Sequence, residues 1–311
     1  MGYYTPHLPT LRQGEAGEPA LAGATHLHDN RRGLVMILHG WEGCSHSNYN
    51  LLLTAALTRA GFDVVRLNLR DHGPNLHLNK YALNPGIFLG ILIEEAVHAT
   101  QLIARMAGDA PFYMVGASMG GNFVLRMALR HAIDPIPNLQ KVIAINPAID
   151  PARATDNVDR NPLLRRYFRR RWARSLLAKQ ELYPDLYEFA ELRSCPTIRQ
   201  MTEQIIRQYG DRFGNFRNAD EYFSAYAVAP EDLADLTVAT EIITAVDDPI
   251  IDAAAFDLLP ANPLLSLQLH PTGGHVGYVD LFPVEHHLPR MVLRALLPLG
   301  ADEHFGKVST M

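Results

Sequence analysis

The stretch FYMVGASMGGNFVLRMALR, Phe112–Arg130, decides the fold. Phe112–Ala117 reads as a buried strand, and the residues from Gly120 onward follow a helical pattern. No loop separates the two. A strand that turns directly into a helix must bend sharply, so Ser118 at the bend is pushed into a strained backbone conformation. Its neighbours must then lack bulk, and Gly116 and Gly120 do. This is the G-x-S-x-G nucleophile elbow. It holds one hydroxyl above the sheet, beside a helix N-terminus whose free amides favour developing negative charge.

The rest of the chain supplies the sheet that such an elbow needs. Leu34–Gly40, Asp63–Leu69, Lys141–Asn146, Thr240–Val246 and Leu264–His270 read as further strands. Asn48–Gly61, Ile93–Gly108 and Leu288–Leu297 read as helices. Continuous apolar strands alternating with helices predict a mostly parallel sheet covered on both faces. Only the region from Asp150 to Leu236 breaks the rhythm. It is polar, Arg-rich and helical in pattern, which predicts a helical lid insertion over residues 150–236 and an α/β core over 1–149 and 237–311. Within it, LLRRYFRRRWARSLL (Leu163–Leu177) places apolar residues on one helix face and five arginines on the other. The arginine face reads as solvated; contact with an anionic membrane surface is the less favoured alternative.

Composition narrows the function class. The chain has 311 residues, 48% of them hydrophobic, with a net charge of −5, so it lacks the basic footprint of a nucleic-acid binder. Two cysteines, Cys44 and Cys195, make no disulfide framework. The N-terminal MGYYTPHLPT shows no signal-peptide pattern, and the most apolar window, Gly86–Ile93, is far short of a membrane span. A cytoplasmic location is the expectation. Glu285–His287 lacks the spacing of a helical zinc motif and reads as surface.

A serine hydroxyl attacks only if a base takes its proton and an acid orients the base. After an elbow, these follow in the order acid, then histidine. Asp247 and Asp248 come just after a late strand, and His275 lies in a glycine-rich loop after the last one. Both positions are at C-terminal strand ends, where open α/β sheets build their sites. The oxyanion donors are expected at the amides of Met119, next to Ser118, and Trp41, in the LHGWEG loop after the first strand. Asp71 and His72 read as shaping a loop.

Together, HGWEGCSHSNY, GASMGGN, AVDDPI and GGHVGY resemble the YheT-like branch of the α/β-hydrolases. The resemblance spans about Leu34 to Asp280 and includes NADEYFSAYAV in the insertion. It implies an α/β-hydrolase fold with a helical lid, hydrolysis of carboxylic esters, Ser118 as nucleophile, Asp247 as acid and His275 as base. The chain departs from the family at Arg70-Asp71-His72-Gly73, where Arg-Gly is usual. Asp247 is also preferred on position, as the first residue beyond a strand ending at Val246. The expected reaction needs no cofactor and no metal. Its substrate is a small-molecule ester with an apolar acyl chain, and Tyr167, Phe168, Trp172, Tyr222 and Tyr226 are candidates for an apolar roof. An acyltransferase or thioesterase on the same site, or a non-catalytic binding protein on a hydrolase scaffold, are the alternatives.

Overall fold

The computed structural model describes residues 31–74 and 83–297. The N-terminal stretch read for targeting signals therefore lies outside the described residues. Six strands form one parallel sheet: β1 (Leu34–Leu38), β2 (Asp63–Leu67), β3 (Phe112–Ala117), β4 (Leu139–Ile145), β5 (Ala239–Ala245) and β6 (Leu265–His270). Their order across the sheet is β2-β1-β3-β4-β5-β6, with every neighbouring pair parallel. All six strands read from the sequence are present.

The near-continuous apolar strands have a simple cause: both faces are covered. Leu34, Met36 and Leu38 of β1 pack on one side with α2 (Ile93–Arg105) and α3 (Met119–Arg130). Val35 and Ile37 pack on the other with α1 (Asn48–Arg59) and α8 (Leu288–Leu296). A strand buried on both faces has no polar alternation to keep.

Between β4 and β5 the chain forms α4 (Pro151–Arg160), α5 (Pro162–Leu182), α6 (Ile198–Phe213) and α7 (Ala219–Ser224). No strand occurs there among the described residues. Each of these helices starts on a polar side chain that accepts from the first turn: Asp150 from Arg153, Asn161 from Leu163 and Leu164, Thr197 from Gln200, and Asn218 from Glu221. Such caps are worth roughly 1 kcal/mol each and fix where each helix begins. A short antiparallel hairpin, β7 (Val279–Leu281) with β8 (Val284–His286), was not anticipated. Its residues are mostly exposed, so no burial pattern marks them in the sequence.

Candidate active site

The elbow sits at the C-terminal end of β3, near the middle of the sheet. Ser118 has φ 56° and ψ −117°, a left-handed conformation that costs energy for a residue with a side chain. The surroundings hold it there. The Ser118 amide donates to Ile145 O at 2.8 Å, and its carbonyl accepts from Asn122 and Ala148. A Cβ at Gly116 would run into the Gly120 carbonyl, and one at Gly120 would meet the Leu38 carbonyl. Both glycines are therefore required by close backbone approach, as the motif predicts.

The histidine loop follows β6 and brings His275 over the elbow. His275 Nε2 lies 2.9 Å from Ser118 Oγ, and His275 Nδ1 lies 2.8 Å from Asp248 Oδ2. An ionised carboxylate only accepts, so Nδ1 carries the proton and Nε2 is left to accept from the serine hydroxyl.

The acid is one residue away from expectation. Asp248, not Asp247, faces His275. β5 ends at Ala245 rather than Val246, and a turn closed by the Asp248 amide on Ala245 O swings the next residues round. Asp248 thereby enters the interior, with its side chain fully shielded from solvent. Its Oδ1 accepts from the Ile250 and Ile251 amides and its Oδ2 from Asn146 Nδ2. Asp247 stays exposed and accepts from the Gly274 amide at 2.7 Å, steadying the histidine loop from outside. Asn146, at the end of β4, went unnoticed in the sequence. It bonds Asp248, the Gly274 carbonyl and the Tyr278 hydroxyl, and is fully buried. Its signal was a polar residue ending an apolar strand beside the elbow.

The loop after β1 forms the opposite wall. The Gly40 amide is taken by the Tyr49 hydroxyl at 2.8 Å, while Trp41 and Met119 both border the space above Ser118. Neither the Trp41 nor the Met119 amide donates to a backbone acceptor among the described residues. Trp41 stacks on Phe168 and meets Trp172 edge-on, both from α5, with ring centroids 5.3 Å apart in each case. His39 is fully buried; its Nδ1 donates to Gly40 O and its Nε2 accepts from the Leu69 amide. Burial lowers its pKa to about 4. Glu42, with φ 56°, is buried 3.7 Å from Arg171 of α5, and burial raises its pKa to about 7 against the pull of that arginine.

Asp71 and His72 do shape the loop after β2. Asp71 accepts from the Phe88 amide and from Lys179 Nζ at 2.8 Å, and His72 Nε2 accepts from the Glu42 amide. A cavity of about 560 Å³ opens above Ser118 and His275. Of the five roof candidates, Tyr167, Phe168 and Tyr226 line it. Trp172 and Tyr222 line a second, smaller cavity instead. No helix among the described residues is long and apolar enough to cross a membrane.

The chain has relatives. A family model described as "alpha/beta hydrolase fold" matches residues 33–181. An esterase-named protein of Synechocystis sp. is 25% identical over 72% of this chain and 64% of its own length. The chain thus spans somewhat under two thirds of that relative. The esterase-named YheT of Escherichia coli is 24% identical over 79% of this chain and 70% of its own. The monoacylglycerol lipase of Saccharomyces cerevisiae is 24% identical over 89% of this chain and 58% of its own. Among solved structures, an esterase of Pyrococcus furiosus superposes with a TM-score of 0.53 at 13% identity, over 86% of this chain and 81% of that one.

Proposed function

From a chain that has the α/β-hydrolase fold and resembles its YheT-like esterases, we propose a serine carboxylesterase working through Ser118, His275 and Asp248. The observation that carries the reading is the unbroken line from Ser118 Oγ to His275 at 2.9 Å and from His275 to Asp248 at 2.8 Å. Ser118 Oγ attacks the ester carbonyl as His275 Nε2 takes its proton. Asp248 holds the imidazole in the required tautomer and stabilises its positive form. The Trp41 and Met119 amides receive the oxyanion, a stabilisation worth roughly 3–4 kcal/mol per donor. His275 returns the proton to the leaving alkoxide, and the alcohol departs. Water, activated by His275, then releases the acid from Ser118. The α4–α7 insertion acts as the lid that roofs the cavity.

Ser118→Ala should lower kcat on p-nitrophenyl esters on the order of 10⁴-fold or more, because such residues act as a unit. The wild type should also be labelled at Ser118 by a fluorophosphonate. A Ser118→Ala protein with near-wild-type turnover would end the reading.

A further inference from the structure

Two cavities adjoin beneath the α4–α7 helices, and they differ in size and chemistry. The outer one, about 560 Å³, is bordered by Ser118 and His275. The inner one is about 50 Å³ and is bordered by neither. Trp41, Met119, Thr155, Ile198 and Tyr226 line both, so the two share a wall. We propose that the inner cavity is the acyl site, that it restricts the enzyme to short acyl groups, and that the outer cavity takes the alcohol. This rests on the esterase reading above.

The assignment follows from where the proton must go. His275 Nε2 delivers it to the leaving oxygen, so the alkoxy group lies on the His275 side, in the outer cavity. The carbonyl oxygen points at the amides of Trp41 and Met119. The remaining substituent of the carbonyl carbon, the acyl chain, is turned away from His275 and toward the Trp41 and Met119 side chains. Behind them lies the inner cavity, closed by Trp172 of α5 and by Ile205 and Ile206 of α6.

The lining suits an alkyl group. The Thr202 hydroxyl already donates to Ile198 O at 3.0 Å, and the Tyr222 hydroxyl accepts from the Gly90 amide at 2.9 Å. An apolar group entering there breaks neither bond. The size sets the limit. A dry cavity of roughly 150 Å³ admits a six-carbon ring, so a third of that volume admits about two or three carbons at the end of the acyl chain. The outer cavity is larger and carries the Glu42–Arg171 pair, which suits a bulkier and more polar alcohol.

Two ester series test this. One varies the acyl group from acetate to dodecanoate on a constant p-nitrophenol. The other varies the alcohol from methyl to decyl on a constant acetate. In the first, kcat/KM should fall about tenfold or more between butyrate and octanoate, the scale of excess methylenes a pocket refuses. The second should show no such fall. Ile205→Ala should move the acyl cut-off to longer chains and Ile205→Phe to shorter ones. The readout is the butyrate-to-octanoate ratio within each variant, so a general loss of active protein cancels. Should neither variant fold, the wild-type series still decides. Rates that climb through octanoate, or that collapse with alcohol size, would overturn the assignment. Ser118-dependent hydrolysis without an acyl cut-off would defeat this inference alone. Absence of any Ser118-dependent hydrolysis would defeat the esterase reading, and this one with it.

Discussion

At the scale of single residues, the pair Asp247–Asp248 shows how narrow the margin is between a carboxylate that reaches His275 and one that does not. Adjacent residues on extended chain point opposite ways, so the sequence rightly implies that only one reaches His275. Which one does depends on contacts remote in sequence. Asn146, just beyond β4, and the Ile250 and Ile251 amides draw Asp248 inward. The elbow was legible because Gly116, Ser118 and Gly120 carry their whole geometry locally, whereas no local signal separates the two aspartates. In Asp248→Asn, the amide oxygen can still accept from Ile250 and Ile251, but its NH₂ would face His275 Nδ1 and force the wrong tautomer. We expect kcat to fall by roughly 10³–10⁴-fold with the fold intact. Asp247→Asn keeps an acceptor for the Gly274 amide and should stay within about tenfold of wild type. Steady-state kinetics on both proteins, with circular dichroism as the folding check, separates the two. A large loss at Asp247 and none at Asp248 would refute the assignment.

At the scale of elements, α5 ties the helices between β4 and β5 to the loops after β1 and β2. Phe168 and Trp172 pack on Trp41, Arg171 faces Glu42, and about two turns later Lys179 is buried against Asp71. The Lys179 side chain is 1% exposed and also donates to the Asn84 and Gly86 carbonyls. Burial pushes the Asp71 carboxyl up and the Lys179 amine down, and their mutual attraction opposes both shifts. The helix and its aromatic face were readable from spacing. The buried lysine was not, since its partner lies 108 residues away and a lone lysine in a basic helix looks like solvated surface. Lys179→Met leaves Asp71 buried without its cation, which should cost about 3–5 kcal/mol of unfolding free energy. Adding Asp71→Asn to Lys179→Met should recover part of that loss. Urea unfolding of the two single variants and the double variant gives the coupling directly. Losses that merely add would mean the pair contributes no mutual stabilisation.

At the scale of the whole molecule, the layered core was legible because β1, β3, β4 and β5, buried on both faces over most of their length, read as continuous apolar runs, while the two cavities were not. Their walls come from the α4–α7 insertion and the sheet loops together, a docking that periodicity does not encode. Two titratable groups, His39 and Glu42, are buried on either side of Trp41 in the loop after β1, and they make stability depend on pH with opposite signs. His39 titrates near 4 in the folded protein against an ordinary 6.5. Below 6.5 the unfolded chain takes up a proton that the folded one refuses, so this contribution is lost as pH falls toward 4. Glu42 titrates near 7 against an ordinary 4.5. Above 4.5 the unfolded chain releases a proton that the folded one keeps, so stability is lost as pH rises toward 7. Removing each group should remove its own slope. Relative to wild type, His39→Gln should gain about 2 kcal/mol between pH 7 and pH 5, whatever packing cost it carries at both. Glu42→Gln should gain roughly 2–3 kcal/mol between pH 5 and pH 8. Urea midpoints at these three pH values measure both. Parallel stability profiles for wild type and Glu42→Gln would show that Arg171, 3.7 Å away, keeps Glu42 ionised throughout the range.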